Sequence, residues 1–177
     1  MLLIAPETCF EEIYRIYEKS FPPAERRTKE GQKQVFSNPC YRIRVVEDEG
    51  EVLAFLGYWE LSTCVFLEHL ATAERCRGKG HGKQLVEEVI GESTKPVYLE
   101  IEPVTEENPI TGRRAVFYER IGFHLNSFYY EQMPLKSGDM PIPLQIMSFG
   151  KAVAEEEFEV YKKEIYEVVY GVNGQIE

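Results

Sequence analysis

The chain alternates apolar and polar positions in two periods, and the change from one to the other marks its elements. "LLIAP" is a short apolar run ended by Pro6, which predicts a first strand. Over residues 7–20, Phe10, Ile13, Tyr14 and Tyr17 recur at helical spacing, and Phe21, Pro22 and Pro23 stop that helix. "AERRTKEGQKQVF" predicts a second, more polar helix. The period then shortens to two. "YRIRVV", the turn "EDEG" and "EVLAFLGYWEL" predict a hairpin, and "CVFLEHLAT" a third, strongly apolar strand suited to the centre of a sheet. A glycine-rich turn opens a helix whose Leu85, Val86, Val89 and Ile90 form one apolar face. In "VYLEIEP", Val97, Leu99 and Ile101 take one side of a strand, and Tyr98, Glu100 and Glu102 the other. Residues 110–121 are predicted helical, with Gly122 as the C-terminal cap. "FHLNSFYYEQM" and "PLQIMSFG" predict two more strands around a Pro/Gly loop at 134–143. The tail, about 152–171, carries Phe158, Tyr161, Ile165 and Val168 on one stripe. Such a stripe suits core packing, or packing against a second copy in a homodimer.

The order β-α-α-β-β-β-α-β-α-β-β-α, without repeats or a linker, predicts one mixed α/β (α+β) domain spanning 1–177. Its middle β-α-β-α section can supply a right-handed parallel crossover. Composition narrows the partners. The net charge of −10 argues against nucleic acid and anionic membrane, which want broad basic surface. It is compatible with a cationic substrate, and equally with a merely well-solvated surface. Cys9, Cys40, Cys64 and Cys76 form no CxxC pair and no Cys/His cluster, so no metal site is expected and the thiols suit a reducing cytosol. The start lacks a basic leader, and the longest apolar run, "VLAFLGYW", is far too short to span a bilayer. A soluble cytoplasmic protein is the expectation.

"RCRGKGHGKQL", residues 75–85, departs from this acidic background. Arg75, Arg77, Lys79 and Lys83 surround Gly78, Gly80 and Gly82 between a predicted strand and a helix start. Helix N-termini present unpaired amides and a partial positive charge, and glycines let those amides approach a phosphate. The Walker A pattern fails here, because only three residues separate Gly78 from Gly82-Lys83 and Gln84 replaces the metal-binding hydroxyl. The dinucleotide fingerprint fails as well, since the glycines spell GxGxG. A solvated basic loop is the plain alternative.

Arg75-Cys-Arg-Gly78-Lys-Gly80 satisfies [RQ]-x-x-G-x-[GA] and resembles the pyrophosphate-binding motif of the Gcn5-related N-acetyltransferase (GNAT) superfamily. "FLEHLAT" resembles that family's fourth strand and "VYLEIEP" its fifth. "RRAVFYERIGF" resembles its second signature helix. The resemblance runs in order over about 1–150. "FPPAERR", "LEHLAT", "LEIEP" and "FYYEQMPL" also resemble a widespread bacterial branch whose substrates the resemblance does not name.

The resemblance implies a mostly antiparallel sheet splayed between those two strands, flanked by helices, with acetyl-CoA as co-substrate in the gap. It implies that the backbone of Leu70, Ala71 and Thr72 pairs with the pantetheine arm. Arg75, Cys76, Arg77, Gly78, Lys79, Gly80, His81, Gly82 and Lys83 would then wrap the pyrophosphate through the amides of 76–83. The implied reaction is acetyl transfer to a primary amine of a small molecule or peptide. Tyr118 matches the family's general acid, and its plain alternative is an ordinary core aromatic. Glu68 and Glu100 rank level as base, each matching a glutamate of some relatives. His69 points away from Glu68 on an ideal strand, His81 lies in the phosphate loop, and His124 reads as structural. "VTEENPITG" resembles an insertion, which puts a direct role for Asn108 in doubt. A non-catalytic acyl-CoA-binding module, and transfer to oxygen or of a longer acyl group, stay open.

Overall fold

A computed structural model describes residues 9–172, so the expected strand "LLIAP" lies outside the described residues. The fold is mixed α/β, and among the described residues it comprises seven strands and five α-helices. The chain divides into two compact units, one running to residue 60 and resuming over 67–93, the other made of 61–66 and the chain from 94 onward. Among the described residues no helix is long and apolar enough to cross a membrane.

The first unit holds α1 (Phe10–Ser20), α2 (Lys29–Phe36), β1 (Tyr41–Asp48), β2 (Glu51–Glu60), the greater part of β3 (Val65–Thr72) and α3 (His81–Glu92). α1 buries Phe10, Ile13 and Tyr17, as its spacing predicts. Pro22 and Pro23 replace the next helical turn by a short 3₁₀ turn, Pro23–Glu25. α2 starts where Thr28 caps it, its side-chain oxygen accepting from the Gly31 amide at 3.1 Å. β1 and β2 form the expected antiparallel hairpin, from Tyr41 opposite Trp59 to Asp48 opposite Glu51. Its two-residue turn needs left-handed backbone at both positions, and Glu49 (φ 50°) and Gly50 (φ 83°) supply it. β2 lies between β1 and β3 and is buried on both faces, from Ala54 to Trp59.

The second unit holds β4 (Val97–Ile101), α4 (Pro109–Glu119), β5 (Phe123–Leu125), β6 (Tyr130–Gln132), β7 (Ile142–Phe149) and α5 (Glu155–Glu164). β7 is its hub and pairs antiparallel with β4, β5 and β6. The single strand expected over "FHLNSFYYEQM" is two, because buried Asn126 turns the chain between them. Its amide group donates to Ile146 O and Ser148 Oγ, both at 3.1 Å, and its Oδ1 accepts from the Val153 amide at 2.8 Å. α4 begins one residue earlier than predicted, with Asn108 as its cap (Oδ1 to the Ile110 amide, 3.2 Å) and Pro109 in the first turn. Part of the apparent insertion is therefore helix. Gly122 follows α4 at φ 114°, where a Cβ would come within 2.9 Å of the Phe149 ring.

The tail departs from its predicted stripe. α5 ends at Glu164, and Ile165–Val169 form a π-helical turn. The wider turn takes one extra residue, so Val169 is buried where simple periodicity favours Val168.

Candidate active site

In the first unit, Leu70, Ala71 and Thr72 form the C-terminal end of β3, with Ala71 buried. A 3₁₀ turn, Glu74–Cys76, leads from it to the glycine loop. Two of the amides expected to face an anion are committed elsewhere: Cys76 N donates to Ala73 O at 2.8 Å and Arg77 N to Glu74 O at 3.4 Å. Cys76 itself is buried. The anion-facing candidates thus reduce to the amides from Gly78 to Lys83. Gly78 (φ 77°) and Gly80 (φ 85°) adopt left-handed backbone, and a Cβ on either would meet nothing within 4 Å. The open space on their outer side leaves room for a ligand. Gly80 is the N-cap of the twelve-residue α3 and supplies no side-chain oxygen. The free N–H groups of His81, Gly82 and Lys83 therefore end in partial positive charge, with the first intrahelical bond running from Gln84 N to Gly80 O at 3.0 Å. Arg75 is ion-paired with Glu51, and Lys83 lies 3.6 Å from Glu87. Among the described residues no carboxylate lies within ion-pair distance of Arg77 or Lys79.

Glu68, also in the first unit, sits in a closed polar cluster. Its side chain is 3% exposed; Oε1 is 2.7 Å from Arg27 Nη2, and Oε2 accepts from Trp59 Nε1 at 2.7 Å. His69 Nδ1 approaches Oε2 to 3.6 Å, so the two side chains meet, against the alternation of an ideal strand. The other ring nitrogen, Nε2, is 3.0 Å from Glu25 O. A carbonyl only accepts, so Nε2 carries a hydrogen. Tyr17 and Phe21 pack edge-on against the His69 ring, and the Tyr17 hydroxyl accepts from Arg27 N at 2.7 Å. Burial opposes charge on Glu68, but Arg27 and His69 outweigh it and hold the carboxyl well below the usual range. Such a group stays ionised and is a weak base.

In the second unit, Tyr118 lies on α4, 9% exposed, with edge-to-face packing on Phe117 and Phe123. Desolvation, partly offset by Arg114, pushes its hydroxyl up to about 12, so it keeps its proton at neutral pH. Glu100 is half-buried on β4 and meets the hydroxyls of two tyrosines. Tyr170 Oη lies 2.8 Å from each carboxylate oxygen, and Tyr130 Oη donates to Oε1. Glu102 falls beyond the end of β4 and pairs with Arg114 Nη1 at 3.1 Å. His124, on β5, is exposed.

Residues 39–125 match the family described as the acetyltransferase (GNAT) domain. A candidate acetyltransferase from Bacteroides thetaiotaomicron, of the same family, has a TM-score of 0.83 and 29% identity, covering 96% of each chain. Through residues 39–125 and these relatives the chain is similar to the GNAT acetyltransferase superfamily. A candidate acetyltransferase of Bacillus subtilis (strain 168), YjbC, is 26% identical over 89% of this chain and 80% of its own length. Arabidopsis thaliana NAA60, solved with acetyl-CoA, shares the GNAT fold at a TM-score of 0.61 and 16% identity, over 80% of this chain and 93% of its own.

Three residues around the GNAT candidates escape a reading of the sequence. Arg27 is one of seven residues in the quoted "FPPAERR", yet only the fold brings it to Glu68. Tyr130 lies in a strand whose interruption at Asn126 is not signalled. Tyr170 follows Tyr166 by four residues in the tail, off the predicted stripe; that spacing is the one signal that marks it.

Proposed function

We propose that this protein transfers an acetyl group from acetyl-CoA to a primary amine of a small molecule or peptide. The observation that carries the reading is the strand–turn–helix at 65–92. Its two left-handed glycines and uncapped helix start offer amides and unneutralised cations to a pyrophosphate, in a chain similar to the GNAT superfamily. That NAA60 is solved with acetyl-CoA on the same fold supports the choice of co-substrate.

The acceptor amine has a pKa near about 10 and arrives protonated. Glu100 takes that proton, directly or through one water. The amine lone pair then attacks the thioester carbonyl and a C–N bond forms. Backbone N–H groups stabilise the developing oxyanion. As the C–S bond breaks, coenzyme A leaves as a thiolate and Tyr118, whose proton burial retains, protonates it; the proton shed by the acylated nitrogen passes through water to restore the Tyr118 hydroxyl. Glu100 takes the base role because Glu68 is ion-paired and shielded, whereas Glu100 is held by neutral hydroxyls. Glu106 and Glu107, exposed in the loop before α4, favour a cationic acceptor.

Calorimetric titration with acetyl-CoA, using ATP and NAD as controls, tests the reading. Binding of acetyl-CoA alone, abolished in Gly80→Glu by bulk and like charge, is expected. Thiol release in the presence of an amine panel then identifies the acceptor class. No binding would overturn the assignment, and binding without turnover on any amine would favour an acyl-CoA-binding module.

A further inference from the structure

We infer that Tyr130 and Tyr170 are positioning residues that orient the Glu100 carboxylate, and that the C-terminal tail is thereby part of the acid–base machinery. This rests on Glu100 acting as the base. Tyr98 and Glu100 share one face of β4, and the tail covers that face. The Tyr98 ring packs against Phe158 and Tyr161 at centroid distances of 5.2 and 4.9 Å. Glu164, at the end of α5, then accepts from the amides of Ser62 (2.6 Å) and Thr63 (2.9 Å) and from both hydroxyls. Burial opposes its charge, but these four donors win and hold the carboxyl below its ordinary value. The π-helical turn follows directly. Tyr166 donates to Glu131 O at 2.6 Å, and Tyr170 reaches Glu100. The tail is docked at three successive points before it delivers the hydroxyl.

The geometry suits a base rather than a structural ion. Tyr170 Oη is equidistant from both carboxylate oxygens, while Tyr130 engages one of them from β6, which fixes the rotation of the group. Neutral donors do this without neutralising the charge, unlike a guanidinium. Among the groups facing Glu100 are Tyr130 on β6 and Tyr166 and Tyr170 on the tail, with Glu131 acting on Tyr166. Burial and the Glu100 charge raise the Tyr130 hydroxyl well above its ordinary value, so it remains a donor.

The test needs a readout independent of turnover. The Glu100 carboxyl is followed by ¹³C NMR in protein with labelled glutamate, its signal assigned by its loss in Glu100→Gln. Removing a hydroxyl that donates to the ionised form raises the titration midpoint, by about one pH unit in Tyr170→Phe. Tyr130 is fully buried and Tyr130→Phe is the harsher change, so Tyr170→Phe is the primary variant. In the amine assay kcat is expected to fall roughly tenfold in Tyr170→Phe at unchanged acceptor KM, with the acidic limb of the pH profile moved upward. An unmoved midpoint in both variants overturns the inference. If Glu100→Gln keeps the wild-type rate while the midpoint still moves, the base assignment fails and the holding role stands. If Glu100→Gln loses the rate but Tyr170→Phe matches wild type in rate and midpoint, the positioning role alone fails.

Discussion

Glu68 on β3 and Glu100 on β4 are strand glutamates of the same type, and their surroundings differ. Glu68 is enclosed by Arg27, Trp59 and His69, in a cluster that also seats the "FPPAERR" segment through Tyr17 and the Glu25 carbonyl. Glu100 is half-buried among tyrosine hydroxyls. A guanidinium at 2.7 Å satisfies a carboxylate by stabilising its charge, which lowers its affinity for a proton. Hydroxyls fix the orientation and withdraw less of that affinity. A cation partner therefore lowers proton affinity further than a hydroxyl does.

The largest expected effect breaks the Arg27–Glu68 pair. Arg27→Ala leaves Glu68 charged and unpartnered in the interior, and should cost roughly 3–5 kcal/mol of stability, read as a lower denaturant midpoint or a Tm fall of roughly 10 °C. A change within 0.5 kcal/mol, the scale of roughly a neutral surface substitution, would show that the pair is not structural. Next, Glu100→Gln should lower kcat/KM about 100-fold, close to 2.7 kcal/mol of transition-state stabilisation, with little change in Tm. The reverse pattern, lost stability with retained rate, would exchange the roles of the two glutamates.

Tyr118→Phe sharpens the picture on the acid side. About a tenfold fall in kcat is expected while the acetyl-CoA dissociation constant stays put, measured by calorimetry beside steady-state rates. Equal turnover would remove its assigned role. The smallest effect is a pH dependence. The folded-state pKa of Glu68 is depressed, so the pair's stability is fully present above the unfolded value near about 4.5 and is lost as pH falls. Below about pH 4, wild type should lose up to roughly 1 kcal/mol per pH unit from this group. Glu68→Gln should lack that component of the slope; parallel slopes in denaturation series at pH 3 to 6 would contradict the ionised pair.

How far the chain could be read from its sequence depended on the range of the interactions involved. The helix of residues 10–20, the 41–60 hairpin and the glycine turn before α3 are local. They follow from 3.6- and 2-residue periods, from Pro22-Pro23 and from glycines that reach left-handed backbone, and each was legible. The split of β5 from β6 was not, because Asn126 earns its turn through partners at 146, 148 and 153. The π-helical turn escaped for a related reason: its extra residue suits the docking of Glu164 and Tyr166, not any preference of "IYEVV".

The candidate site shows the same division. By its composition and order the sequence determined a basic, glycine-rich loop, a tyrosine near the end of α4, and two strand glutamates that it left ranked level. Only the tertiary structure shows how the partners of those glutamates differ. Proton affinity is set by burial and by partners from distant parts of the chain, Arg27 from 41 residues before Glu68 and Tyr170 from 70 residues after Glu100. No local period encodes which cation or hydroxyl a carboxylate will meet.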